Sequence, residues 1–149
     1  MKNLAMIGMT TAVTLLPLMY EAKGIWRYRP IGKCLVEINI SATSTDAVVL
    51  PVYPDVGWRY LGISYFRVFS PPETRTRIYI SDWENPVGQP SEGYMLAEID
   101  GNKYDVRLTP RDFGLDRIYC DKFWIEVVPQ SALDYDRKAI VKFSGIEIR

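Results

Sequence analysis

"GWRYLGISYFRVF", residues 57–69, decides the fold class. In an extended chain successive side chains point to opposite faces. Leu61, Ile63, Tyr65 and Phe69 then share one face, and Trp58, Tyr60, Phe66 and Val68 share the other. Apolar groups on both faces predict a strand covered on both sides, either central in a sheet or lying in an interface. The stretches around it carry the same signature. In "KCLVEINI", Cys34, Val36, Ile38 and Ile40 form one face and Lys33, Glu37 and Asn39 the other, which predicts a half-buried strand. "AVVLPVY" contains Pro51, so it reads as an edge strand or a strand end.

Further along, "RTRIYI" places Ile78 with Ile80, and "RIYCDKFWIEVVP" sets Phe123, Ile125 and Val127 opposite Lys122, Trp124 and Glu126. "GYMLAEI" and "KYDVRL" flank Asp100-Gly101-Asn102, a hairpin signal because Gly and Asn accept the positive φ of a tight turn. A calcium loop could also begin there, but the remaining ligand spacing is missing. "QSALDYDRK" is the one stretch after residue 24 with room for a helical turn, capped by Ser131. In "AIVKFSGIEI" the apolar register shifts at Ser144-Gly145, which predicts a bulge. These runs give about nine strands at sandwich-like spacing, and the fold expected is all-β, a single antiparallel β-sandwich or jelly-roll-like domain.

The 149 residues suit one domain, read as 24–149, with an apolar amino-terminal arm or anchor at 1–23. "MKNLAMIGMTTAVTLLPLMYEAKG" has the outline of a secretory signal or a short membrane anchor. Three threonines and Pro17 interrupt it, and Tyr20 stands where cleavage after Ala22 would want a small residue. An arm docked in an assembly is the first reading, with a membrane anchor through residues 1–22 and a signal peptide as the alternatives.

Composition removes several chemistries. Histidine is absent, and with it the commonest general base and metal ligand, so no Ser-His-Asp or Cys-His arrangement is available. No GxSxG, GxGxxG or phosphate-binding loop occurs, so no enzyme, cofactor or metal is expected. Lys plus Arg balances Asp plus Glu at 18 each, which leaves Arg75 to Arg77 as the one basic candidate for nucleic acid; it reads better as a solvated face. Cys34 and Cys120 have neither CxxC nor zinc spacing and read as small buried residues, with a single disulfide as the alternative.

"SDWENPVGQPSEGYM", residues 81–95, is a loop between strands. An extended Asp82 and Glu84 would point one way and Trp83 the other, a poor arrangement for a carboxylate pair working on a sugar held by that tryptophan. The four tryptophans, Trp26, Trp58, Trp83 and Trp124, are candidates for stacking or interface contact, as is Tyr94.

The order of runs resembles small tailed-phage virion proteins of the decoration or minor structural type. Leu50-Pro51, Arg59-Tyr60-Leu61, Ile78-Tyr79-Ile80, Gly93 to Leu96 and Ile118-Tyr119 carry the resemblance, within roughly residues 41–128. It implies a non-enzymatic particle subunit that binds neighbouring capsid or tail subunits and associates with itself. Trp58, Trp83, Tyr94 and Trp124 are then contact residues, and the location is the virion. A carbohydrate-binding β-sandwich of a secreted or membrane-anchored protein is the alternative, with Trp83, Tyr94 and Trp124 as stacking platforms.

Overall fold

The computed structural model describes residues 27–149, apart from 102, 104 and 133. The amino-terminal arm, Trp26 and the facing of Tyr104 therefore lie outside the described residues. Eight antiparallel strands follow in chain order: β1 (Tyr28–Ile40), β2 (Val48–Val52), β3 (Tyr60–Phe69), β4 (Thr74–Asp82), β5 (Tyr94–Asp100), β6 (Val106–Leu108), β7 (Ile118–Pro129) and β8 (Arg137–Ile148). The hydrogen-bonded path runs β1-β8-β3-β7-β4-β5, with β2 on β7 and β6 on β3. Among the described residues no helix is long and apolar enough to cross a membrane.

One strand turns this path into a sandwich. β7 pairs with β3 only through Ile118, Tyr119 and Cys120; beyond them it lies between β4 and β2, and β6 takes the vacated side of β3. One layer is then β1-β8-β3-β6 and the other β5-β4-β7-β2. Phe66 of β3 and Phe143 of β8 come from the first layer, and Phe123 of β7 meets both edge-to-face at 5.1 Å. All three are fully buried, each contributing on the order of 2–3 kcal/mol of apolar transfer. The favoured T-shaped geometry of aromatic pairs adds to this.

β3 is central, flanked by β8 on one side and by β7 and β6 on the other. Its faces, however, are not those of strict alternation. Leu61 and Ile63 point into the core, and so do Phe66 and Val68, because the register shifts between Ile63 and Tyr65. Ser64 is an extra residue there, and it moves the large aromatic to the inner face. The same happens across β8, where β1 gains a residue between Ile31 and Cys34.

The irregularity foreseen at Ser144-Gly145 is therefore present, but the extra residues sit in the two flanking strands. β8 itself keeps its alternation, with Phe143, Gly145 and Glu147 all turned inward. A Cβ at Gly145 would stand 2.0 Å from the carbonyl oxygen of Gly62, so only glycine permits β8 and β3 to approach this closely. Glu147, fully buried, accepts hydrogen bonds from the Arg29 guanidinium at 2.7 and 3.1 Å and from the Asp55 backbone N–H. Its polar side chain at an inward position mimics a shift of the apolar register.

Two further expectations are corrected. The Asp100-Gly101 stretch does turn, with the Lys103 N–H bonded to the Asp100 carbonyl at 3.1 Å, but it is no hairpin. β5 pairs with β4 and β6 with β3, so the segment crosses from one layer to the other. Arg67 of β3 then holds the incoming chain through both carboxylate oxygens of Asp105. Residues 130–136 form bends without a helical turn among the described positions; short 3-10 turns occur instead at Pro90–Glu92 and Pro110–Phe113, each started by a proline with preset φ. Among the described residues β2 has β7 as its one strand partner, the edge position that suits Pro51.

Cys34 and Cys120 are buried free thiols. Burial pushes the Cys34 thiol up to about 11 and that of Cys120 higher still. Neither forms appreciable thiolate near neutral pH, so both should resist thiol reagents at pH 8 in the native protein and react within seconds after denaturation; fast native labelling would show that this core opens. Gly145→Ala should cost about 3 kcal/mol, measured by urea unfolding, because the backbones of β3 and β8 would have to separate.

Candidate functional site

A cleft of about 480 Å³ lies where the β4–β5 connection meets the segment leading into β7. Its base is the end of the core itself, Ile80, Leu96 and Ile118. One wall comes from the end of β4 and the start of β5, with Asp82, Trp83 and Tyr94. The other comes from the connection into β7, with Phe113, Leu115, Arg117 and Tyr119. The walls meet because β4 and β7 are neighbours, Asp82 lying opposite Cys120.

Each aromatic ring has a local reason for its position. Tyr119 lies opposite Gly62, where a Cβ would come within 3.0 Å of the ring, so the absence of a side chain there lets the ring settle onto β3. Trp83 leans on it at 5.8 Å and meets Tyr60 edge-to-face at 5.4 Å. Trp83 is thus half-buried and braced, a preorganised wall. Tyr94 and Leu115 stand open, at 60% and 47% exposure.

The carboxylates of the loop are not parallel. Asp82 ends β4 and its own groups make the following turn: its carbonyl accepts from the Asn85 N–H and its Oδ1 from the Glu84 N–H, both at 3.1 Å. This turn swings Trp83 into the cleft on the same side as Asp82, against the expectation of opposite sides. Glu84 is exposed and does not line the cleft. A second depression of about 270 Å³ adjoins the first, sharing Ile80, Asp82 and Tyr94 and adding Asn85 and Glu92.

The remaining candidates lie elsewhere. Trp124, between Pro51 and Tyr79 in register and close to Gly93, is 4% exposed and has no open face for a ligand ring. Trp58 carries the guanidinium groups of Arg29 and Arg149, 4.7 and 4.5 Å from its ring centroid, so its ring is engaged within the domain. Arg75 and Arg77 are neutralised across the strands: Arg75 meets Asp100 at 3.3 Å, while Arg77 reaches Glu98 at 2.5 Å and Glu126 at 3.2 Å. The "RTR" run is a cross-strand charge ladder. Phe113 and Arg117 carry no signal in the sequence, and Tyr119 enters there only as part of the Ile118-Tyr119 pair of the resemblance; that pair opening a strand beside a Gly62-bearing one is the signal for its place in the cleft.

No protein-family model matches this sequence. No curated protein matches it either. Among solved structures, the chain is similar to a non-crystalline cellulose specific carbohydrate-binding module, CBM28. That match has a TM-score of 0.36 and 13% identity, covering 93% of this chain and 96% of that one. At that TM-score the likeness bears on neither ligand nor function.

The seat of Tyr119 on Gly62 can be checked directly. Gly62→Ala should displace the Tyr119 ring, seen as changed ring-proton shifts by NMR, at a cost of roughly 1–2 kcal/mol in stability. Unchanged shifts would mean that the ring is held from the Trp83 side alone.

Proposed function

We propose that this chain is a non-catalytic binding domain and that the cleft between Trp83, Tyr94 and Tyr119 takes a saccharide. The observation that carries the reading is the combination of a braced ring, Trp83, with an open one, Tyr94, beside Asp82 and Arg117. Pyranose rings present C–H faces that pack on aromatic rings, and their hydroxyls bond to planar polar side chains at the rim. A preformed wall lowers the ordering cost of binding.

The test is affinity measured against a panel of soluble polysaccharides and glycans. Trp83→Ala and Tyr94→Ala should each weaken binding at least about tenfold, while the core aromatic Trp124 acts through stability alone. A folded chain that retains no glycan from the panel sinks the reading.

A second reading is a structural subunit of a phage particle that binds neighbouring capsid or tail subunits. One observation favours it: among the described residues β1, 13 residues long, pairs only with β8, and an added strand could lie along its other edge. Light scattering at increasing concentration separates the two, since a particle subunit should self-associate and a clean monomer counts against it.

A further inference from the structure

We propose that the ligand is an acidic oligosaccharide, with a sugar carboxylate seated against Arg117 and an uncharged ring lying across Tyr94 in the adjoining depression; this rests on the saccharide reading of the cleft. Five arginines of the sheet are paired with carboxylates: Arg29 with Asp55 and Glu147, Arg67 with Asp105, Arg75 with Asp100, Arg77 with Glu98 and Glu126, and Arg137 with Glu73 and Asp134; exposed Arg107 lies instead over the Tyr65 ring. Arg117, half-buried in the cleft wall, has no such partner among the described residues. Its Nη1 donates to Ser64 Oγ at 3.1 Å, which fixes the guanidinium without cancelling its charge.

A guanidinium has five N–H donors in a rigid fork, and one hydrogen bond to a hydroxyl leaves the pair that matches a carboxylate. The surrounding rings of Phe113 and Tyr119 exclude part of the water that would otherwise screen it. On the far side of Tyr94 the polarity reverses. Asp82 borders both depressions, and the second adds Asn85 and Glu92, which accept hydroxyl hydrogen bonds, the Glu92 carboxylate also repelling an anion. The two depressions share Tyr94 and Asp82, so a chain of sugars crossing Tyr94 passes from Arg117, which lines only the first, to Glu92, which lines only the second. That polarity fits one carboxylate at the Arg117 end, followed by a neutral ring.

The experiment is calorimetric titration with uronic- and sialic-acid oligosaccharides and with their carboxyl-reduced counterparts, at low and high salt. Acidic ligands should bind at least about tenfold tighter than the reduced ones, and salt should narrow the gap. Arg117→Gln should weaken the acidic ligands at least about tenfold more than the reduced ones and so abolish the discrimination, and Arg117→Lys should restore part of it. Ser64→Ala removes the hydrogen bond but not the charge and should keep the discrimination, which separates a charge effect from local misfolding. Equal binding of acidic and reduced ligands by the wild-type chain, or equal loss of both in Arg117→Gln, overturns this inference and leaves the saccharide reading standing. Absence of binding to either kind overturns both.

Discussion

The contact on which the rest of the structure depends is the approach of β8 to β3 at Gly145 and Gly62, where no side chain can stand between the backbones. It lies at the level where β1 and β3 each take in an extra residue. With β8 unbroken between them, the two bulges let Leu61 and Ile63 face inward and then return Phe66 and Val68 to the same side. Without them the large aromatic would face outward and Phe123 would lose one of its two edge-to-face partners. A local backbone constraint thus sets the packing that joins the two layers.

The same contact reaches the cleft. Gly62 presents its carbonyl to Gly145 and its bare Cα region to the ring of Tyr119, and Tyr119 supports Trp83. The cleft wall is therefore built outward from a close-packed backbone crossing, not from the loop at 81–95 alone. Binding surfaces set on rigid elements hold their geometry better than surfaces on free loops. Tyr94 and Leu115, the open members, complete the site from the two strand ends that the β4-β7 pairing brings together.

Charge follows a related pattern. Arg29, Arg75 and Arg77 each meet a carboxylate directly opposite in register, whereas Arg67 stands opposite Arg107 and Lys142 and finds its carboxylate in Asp105, just before β6. Exposed pairs of this kind contribute little to stability individually. The buried Glu147 differs: with Arg29 and the Asp55 N–H it forms a satisfied polar cluster inside the layer, and removing either partner would strand a charge. In the cleft, Arg117 is bound to the Ser64 hydroxyl and not to a carboxylate among the described residues, and it stands on the wall across from Asp82.

By itself the sequence determined the all-β class and the inward faces of β1, β4 and β7, and it narrowed β2 to an edge strand or strand end and β3 to a central or interface strand, because period-two patterning and proline chemistry are local properties. It also marked Trp83 and Tyr94, and it placed an irregularity near Gly145. Tertiary structure alone decided which strands pair across the turn after Asp100, where the extra residues sit, and that Glu147 faces inward. It likewise decided that Trp124 is covered, that Trp58 is engaged by two arginines, and that Tyr119 and Arg117 join Trp83. The reason is physical: register, close backbone approach and charge pairing connect residues far apart in the chain, and no window of neighbouring residues carries them.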